Sequence, residues 1–279
     1  MRLALDVGNS QIKVGLFQEN RLHARWWIET DPHQTPDAYG AALARFLGEN
    51  TVAGAILASV VPALTPVLRE ALRQRFSLEA RVVTHHLKTG LRILHPHPEE
   101  IGADRLVNAA EAYGCFGGPV AVVDFGTATT FTVVSGDGDY LGGAIAPGLG
   151  TAASALATRT ARLPYVFFDT PGRSAHRSAQ RGRPLASVEP GAPEGVPNRA
   201  ISVDTVSALR SGLFFGQVGL VEEMLRRIHD EVGGLTYALA TGGFANDIAP
   251  LCKAITDIIP DLTLAGLNRI YQMNPVSAP

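Results

Sequence analysis

The chain of 279 residues has little cysteine, little net charge and no long apolar run. Its two cysteines, Cys115 and Cys252, lack metal-ligand spacing, which argues against a disulfide scaffold and is typical of the reducing cytoplasm. A formal net charge of −2 gives no general attraction for nucleic acid, so we expect no such partner. The apolar stretch at 53–68 is broken by Pro62 and Pro66, and the chain opens directly on a strand pattern. We therefore expect no membrane span, no signal peptide and a cytoplasmic location.

Two common phosphate-binding signatures are also missing from the sequence. It has no Gly-x4-Gly-Lys-Ser/Thr loop, and no glycine-rich loop accompanied by a His-Arg-Asp motif. These absences exclude the P-loop and protein-kinase architectures for phosphoryl transfer. The sequence contains instead two segments that follow one pattern, Leu3–Val14 and Val120–Phe131.

Each of these segments is an apolar run, an aspartate, a glycine two residues later, small polar residues and a second apolar run. The pattern predicts a strand that enters a tight turn and returns as an antiparallel partner. Glycine lets backbone N–H groups approach an anion, hydroxyl groups add donors, and Asp6 or Asp124 at the strand end can hold Mg²⁺. One copy would be an ordinary polar hairpin, but two copies that face each other would hold a nucleotide polyphosphate from both sides.

Helical and strand patterns alternate after each hairpin, which predicts two related α/β domains with a cleft between them. We expect a first domain at 1–117 and a second at 118–279, with a flexible surface insert at about 169–198 that is rich in proline, glycine and arginine. A long helix from Thr205 is expected to bury one apolar stripe and to offer glycines to another helix, from this chain or a second subunit. The predicted stripe is Val206, Leu209, Leu213, Leu220, Met224 and Ile228, beside Gly212, Gly216 and Gly219.

The sequence Gly102-Ala103-Asp104-Arg105 precedes a predicted helix that ends after Tyr113. Asp104 is then at the N-cap or in the first turn, where aspartate is a common capping residue. A carboxylate at the mouth of a cleft could instead accept a proton from an attacking hydroxyl group, with Arg105 binding an anionic part of the substrate. Both interpretations stay open from these residues alone.

A glycine pair follows another predicted buried strand, in Thr241-Gly242-Gly243. Without side chains, these two residues would let a flat ligand such as adenine lie against the backbone. An ordinary strand-to-helix turn explains the same three residues, so the motif alone does not decide between them.

Taken together, these motifs resemble those of the type III pantothenate kinases, in the acetate and sugar kinase/Hsp70/actin superfamily. The resemblance covers nearly the whole chain, with the motifs in the expected order, and it departs from the family at His95, where a tyrosine is usual. It implies an α/β fold of two ribonuclease H-like, or actin-like ATPase, domains with a nucleotide cleft between them. The matching motifs are Asp6–Ser10, Ser59–Pro62, Gly102–Arg105, Asp124–Thr129, Gly142–Gly148, Ala161–Pro164, Thr241–Gly243 and Pro260–Leu267.

The activity implied by the resemblance is ATP-dependent phosphorylation of pantothenate at its primary hydroxyl, the first step of coenzyme A synthesis. Asp104 would be the catalytic base within a pantothenate-binding run of Gly102, Ala103, Asp104 and Arg105. Asp124 would hold a monovalent cation, K⁺ or NH₄⁺, and Asp6 would meet Mg²⁺ through the phosphates. The residues implied to contact ATP are Asp6, Val7, Gly8, Asn9, Ser10, Gln11, Ile12, Lys13 and Thr127.

The resemblance also implies a homodimer, in which Thr205 reaches pantothenate in the partner's site. Two other classes are compatible with the hairpins. Another small-molecule kinase of the superfamily should lack the Gly102–Arg105 motif, and a non-catalytic regulator on this scaffold would typically lose Asp104 or Asp6. All of these residues are present, so we expect the kinase.

Overall fold

The computed structural model of this chain describes residues 1–168, 197 and 199–275. The first of its two mixed sheets has the strand order β3-β2-β1-β4-β5, in which β1 is antiparallel to β2 and parallel to β4. These strands are β1 (Arg2–Val7), β2 (Gln11–Gln18), β3 (Arg21–Glu29), β4 (Gly54–Ser59) and β5 (Ala80–Val82). The insert expected at 169–198 lies outside the described residues apart from Pro197.

The second sheet repeats this arrangement, with the order β11-β10-β7-β8-β9-β6. Its central strand β7 is antiparallel to β8 and parallel to β10, as β1 is to β2 and β4. The strands are β6 (Arg92–Ile93), β7 (Val120–Phe125), β8 (Ala128–Val134), β9 (Asp139–Pro147), β10 (Tyr237–Gly242) and β11 (Asp257–Ile258). The predicted duplication of an α/β unit with a leading hairpin is therefore confirmed.

Helices connect and cover the strands. They are α1 (Pro36–Leu47), α2 (Leu64–Phe76), α3 (Ala103–Phe116), α4 (Leu149–Arg159), α5 (Thr205–Glu231), α6 (Ala245–Ile248) and α7 (Leu262–Met273), with 3-10 turns at Pro98–Glu100 and Ala249–Leu251. Helix α5 begins where the sequence predicts, because the Asp204 carboxylate accepts a hydrogen bond from the Ser207 N–H at 2.9 Å. No helix in the described part of the chain is long and apolar enough to cross a membrane.

The outer face of each sheet is covered by its own pair of helices. Leu3 and Leu5 of β1 pack with Leu43 of α1 and with α2, and Val123 of β7 packs with Phe214 of α5. Residues that alternate with these point to the opposite faces, since successive side chains of a strand alternate. Both faces of β1 and β7 are thus buried, which explains their nearly continuous apolar sequences.

The inner faces of the two sheets share the helices α3 and α7. Ala4 of the first sheet lies in one apolar cluster with Val107 of α3 and Leu267 of α7. Ala109 of α3 lies in a second cluster with Val122 of the other sheet. The two helices therefore form the layer between the sheets, and α3 carries Asp104 in its first turn.

The apolar stripe predicted for α5 is not the helix face that is buried in the structure. The buried positions are Ser211, Phe214, Gln217, Val221, Leu225 and Ile228, so of the predicted set Ile228 alone is fully buried. Two polar residues take part because they have partners: Ser211 Oγ donates to the backbone oxygen of Ala200 at 2.7 Å, and Gln217 Nε2 donates to Thr129 Oγ1 at 2.8 Å. A hydrophobicity pattern does not register such residues as core.

The division of the chain into domains at 117/118 stays a proposal. Strand β6, from the first half of the sequence, pairs with β9 of the second sheet. Helix α7, from the end of the described chain, packs against β1 of the first sheet. Each half thus contributes one element to the other, and these exchanges tie the halves together.

Replacing Leu267 by alanine should test the layer between the sheets. Leu267 is fully buried, so Leu267→Ala should cost about 2–5 kcal/mol of unfolding free energy and lower the Tm by several degrees. The matched control is Leu251→Ala, because Leu251 is 44% exposed and its truncation should change stability by about 0.5 kcal/mol or less. Equal Tm losses for the two variants would contradict the packing of α7 between the sheets.

Candidate active site

The first hairpin joins β1 to β2 through a tight turn. Asp6 near the end of β1 lies opposite Lys13 of β2, and Lys13 Nζ is 3.4 Å from Asp6 Oδ2. In the turn, Gly8 N–H donates to the Gln11 backbone oxygen at 3.1 Å, and Thr30 Oγ1 donates to the Gly8 oxygen at 2.6 Å. These contacts fix the turn from both sides, which is what a preformed phosphate-binding loop requires.

The second hairpin joins β7 to β8 in the same way. Asp124 lies near the end of β7, and Gly126 N–H donates to the Ala128 backbone oxygen at 3.1 Å. Thr151, in the first turns of α4, donates its hydroxyl to the Thr127 backbone oxygen at 2.6 Å. Helix α4 therefore holds the tip of this hairpin against the sheet.

The tips of the two hairpins meet. Ser10 Oγ of the first is 3.0 Å from Thr127 Oγ1 of the second, within hydrogen-bond distance. Both turns lie at the carboxyl ends of parallel strand pairs, where open α/β sheets bind their ligands. The side chains of Val7 and Ile12 are fully buried in the first sheet, so these two residues can contact a phosphate through their backbone alone.

Asp104 lies in the first turn of α3, near the two hairpins. Its Oδ1 accepts a hydrogen bond from the Arg105 N–H at 2.8 Å, and Gly102 is the N-cap residue. A Cβ at Gly102 would lie 2.6 Å from Asp104 Oδ1, so glycine makes room for the carboxylate. Because Gly102 holds the N-cap position, Asp104 belongs to the first turn and is not the N-cap residue.

Asp104 titrates unusually. Burial, together with the nearby carboxylates of Asp124 and Asp6, raises the pKa of Asp104 to about 6 against the opposing effect of Arg105. A carboxyl group with this pKa is ionised at neutral pH and still accepts a proton more readily than a free aspartate. It is therefore suited to act as a general base.

Asp124 is paired with a residue that the sequence reading missed. Asn108, four residues after Asp104 on α3, donates its Nδ2 to Asp124 Oδ2 at 3.2 Å. Burial raises the pKa of Asp124, while the charge of Lys13 and this hydrogen bond act in the opposite direction. The signal available in the sequence was a polar residue one turn after Asp104. That signal does not identify a partner, because any buried asparagine on a helix looks the same in the sequence.

The Thr241-Gly242 motif closes the site beside Asp124. Thr241 lies opposite Asp124 on the neighbouring parallel strand. Gly242 has a φ of +96°, and a Cβ there would collide with Asp124 Oδ1 and with the Phe125 backbone. The glycine is thus explained by its contact with the aspartate and its backbone conformation.

Thr205 is separate from the residues that the structure brings together. It is exposed at the start of α5 and lines a cleft of about 490 Å³ with Leu156, Leu163 and Leu209. Within the described residues, no hydrogen bond links Thr205 to the hairpins or to Asp104. Asp6, Lys13, Ser10, Thr127, Asp104, Arg105 and Asp124, by contrast, converge between the sheets.

The donor set at this site fits cations that prefer oxygen. Asp6, Asp104 and Asp124 supply carboxylates from three different elements. The described residues hold no group of three or more His, Cys, Asp or Glu side chains close enough to bind a metal by themselves. A divalent cation here would therefore take part of its ligands from a polyphosphate, as Mg²⁺ commonly does.

Duplicated sheets of this topology, each opening on a phosphate-type hairpin, define the actin-like ATPase class. A ROK family glucokinase from Streptomyces griseus, solved with glucose and AMPPNP, has the same fold, with a TM-score of 0.56 at 14% identity over 98% of this chain and 99% of that one. The predicted fold class is thus confirmed.

Sequence comparisons identify the family within this class. The family model described as type III pantothenate kinase matches residues 2–227. The type III pantothenate kinase of Moorella thermoacetica is 39% identical over an alignment of 279 positions, which covers 98% of this chain and 100% of that protein. That of Pelobacter propionicus is also 39% identical, with the same coverage. The chain belongs to the type III pantothenate kinase family, which confirms the resemblance read from its motifs.

The pKa of Asp104 predicts a pH dependence. If ionised Asp104 is the base, kcat/KM should fall about tenfold per pH unit below about pH 6. The free energy of unfolding should change with pH in the opposite direction to kcat/KM. Because folding raises this pKa, protonation of Asp104 stabilises the folded state at low pH, and that stability is lost as pH rises through about 6.

Thermal unfolding measured from pH 4.5 to 8 should therefore show Asp104→Asn gaining Tm relative to the parent as pH rises. Asn keeps the oxygen that accepts from the Arg105 N–H but carries no charge. A kcat/KM profile that stays flat down to pH 5, with no such change in relative Tm, would contradict the assignment.

Proposed function

We propose that this protein transfers the γ-phosphate of ATP to the primary hydroxyl of pantothenate, which yields 4′-phosphopantothenate and ADP, the first step of coenzyme A biosynthesis. The observation that carries the proposal is the position of Asp104 within the Gly102–Arg105 motif, beside two phosphate-type hairpins in contact. Membership of the type III pantothenate kinase family supplies the acceptor.

The reaction is a direct displacement in which each group has one role. The residues from Asp6 to Lys13, together with Thr127, hold the polyphosphate between the two hairpin turns. Asp104 accepts the proton of the pantothenate hydroxyl. As it does so, the hydroxyl oxygen bonds to the γ-phosphorus of ATP, and the bond between that phosphorus and the bridging oxygen of the departing ADP breaks. Arg105 binds the pantothenate carboxylate and so fixes the hydroxyl beside Asp104.

Cations are part of the proposal because of the local charge. Asp6, Asp104 and Asp124 place three carboxylates near the path of an anionic nucleotide, and Lys13 is the cation beside them. Mg²⁺ carried with the phosphates, met by Asp6, and a monovalent cation at Asp124, K⁺ or NH₄⁺, would offset this charge when bound. The fit rests on oxygen donors, which suit both ions.

We further propose a cytoplasmic homodimer in which Thr205 completes the partner's pantothenate site. Thr205 is exposed at the start of α5. Further along that helix, a Cβ added to Gly212, Gly216 or Gly219 would meet no described atom within 4 Å. Because these glycines have no side chains and their face of α5 is open, a second subunit could approach the helix closely. This supports a contact of α5 with a second subunit.

The activity is tested by ADP release with and without pantothenate. Release should depend on pantothenate and not on glucose, and Asp104→Asn should lower kcat by about 10²–10⁴-fold with ATP binding little changed, because Asn cannot take the proton. Activity of the variant within a few-fold of the parent would show that Asp104 is not the base. Equal release with glucose would favour another small-molecule kinase.

The shared site is tested by mixing two inactive variants. Asp104→Asn and Thr205→Val subunits should regain partial activity when mixed, because each heterodimer then holds one site with both residues intact. Heterodimers are verified by pull-down with two different tags. A mixture in which heterodimers form and activity stays absent would overturn the role of Thr205 across the interface.

A further inference from the structure

Two buried oxygen atoms next to Asp124 have no partner. The Asn108 side chain is 2% exposed and the Thr241 side chain is fully buried. Among the described residues, neither Asn108 Oδ1 nor Thr241 Oγ1 has a hydrogen-bond partner. Buried polar atoms are nearly always paired in folded proteins, so two unpaired oxygens at one carboxylate require an explanation.

Strand register places both groups on the same side of the sheet as the Asp124 carboxylate. Thr241 and Asp124 are register partners on adjacent parallel strands, so their side chains leave the same face. That face is the one covered by α3, because Val122 and Leu239, two residues before Asp124 and Thr241, pack in one cluster with Ala109 of α3. The Thr241 hydroxyl therefore lies beside the carboxylate beneath α3.

The orientation of the Asn108 amide follows from its contact. Asn108 Nδ2 donates to Asp124 Oδ2 at 3.2 Å, and a flipped amide would put two oxygen atoms against each other. Oδ1 is consequently directed away from Oδ2 and remains available as an acceptor. Asn108 thus both holds the carboxylate and presents an oxygen next to it.

The other carboxylate oxygen is bordered by backbone. A Cβ at Gly242 would collide with Asp124 Oδ1, and one at Gly126 would lie 3.6 Å from the same atom. Two glycines therefore keep side chains away from Oδ1. One carboxylate and two neutral oxygens face this region, and among the described residues no group of histidine or cysteine side chains joins them, which argues against the preferred ligand sets of zinc and copper.

We infer that Asn108 Oδ1 and Thr241 Oγ1 act with Asp124 as the oxygen ligands of a monovalent cation such as potassium. A single carboxylate supplies one negative charge, and neutral oxygens replace the hydration shell of such an ion. The inference rests on the proposed cation at Asp124 and adds two ligands to it. It also explains why two unpaired oxygens are retained, since the ion would satisfy both.

The experiment compares thermal unfolding in potassium chloride with unfolding in tetramethylammonium chloride at about 0.1 M, a concentration at which general screening is alike. The measurements are made without nucleotide and with Mg·ADP. The parent should show a higher Tm in potassium, because an ion that binds only the folded state stabilises it. Thr241→Val and Asn108→Leu should lose this difference, whereas Thr241→Ser should keep it.

Activity gives a second measurement. The potassium concentration for half-maximal ADP release should rise at least about tenfold in Thr241→Val. Its Tm in tetramethylammonium should equal or exceed that of the parent, since the variant removes an unpaired buried hydroxyl at nearly constant shape. A purely structural role for Thr241 would predict a lower Tm in both salts.

Matched controls come from α7, outside the site. Asn268 is 5% exposed, donates Nδ2 to the Glu19 backbone oxygen at 3.0 Å and also has an unpaired Oδ1 among the described residues. Thr263 is 2% exposed. Asn268→Leu and Thr263→Val should keep the potassium-specific Tm difference, whatever their own stability.

The outcomes separate this inference from the proposed function. The ligand set would be overturned if Thr241→Val and Asn108→Leu kept the potassium-specific Tm difference of the parent. It would also be overturned if the two control variants lost that difference to the same extent. Pantothenate phosphorylation without any potassium effect on the parent would also overturn it and leave the function standing. Loss of the potassium response in the two variants alone, in a protein that does not phosphorylate pantothenate, would support the ligand set and reject the function.

Discussion

Mutual repulsion between three carboxylates is the constraint that shapes this site. Asp6, Asp104 and Asp124 come from a strand of one sheet, the intervening helix and a strand of the other, and each lies within the electrostatic reach of another. Burial disfavours the charged carboxylates directly and also weakens the screening between them, which is why the pKa rises at Asp104 and Asp124. An arrangement of this kind stays folded because the covalent chain and the surrounding core hold it, with Lys13 as a cation beside the carboxylates.

The layer between the sheets provides that restraint. Helix α3 is buried against both sheets, and Glu111 on α3 forms an ion pair with Arg269 on α7 at 2.6 Å. Gly114 leaves room for the arginine, since a Cβ there would lie 2.6 Å from the guanidinium group. With α3 fixed to α7 and to both sheets, Asp104 has little freedom to move away from the other carboxylates. Rigid placement of this type suits the general-base role proposed for Asp104.

The parts of the fold that depend on local chemistry were predictable from the sequence. Both hairpins and the start of α5 follow from patterns within a few residues. Non-local contacts were not predictable: the register that sets Thr241 against Asp124 joins segments far apart in the chain. Asn108 has no sequence signature that distinguishes it from any buried asparagine. The stripe of α5 was misplaced because Ser211 and Gln217 are buried through hydrogen bonds that a hydrophobicity pattern does not record.

The exchange of α7 between the halves has a consequence for protein synthesis. Leu264 of α7 packs in one cluster with Ala4 and Phe17, residues of the first two strands. During translation, the inner face of the first sheet leaves the ribosome well before residues 262–273 exist to cover it. Contacts between such distant segments slow folding, and exposed apolar sheet surface promotes aggregation in the meantime. The inner face of the first sheet therefore stays uncovered until α7 has been made, and the nascent chain must remain protected up to that point.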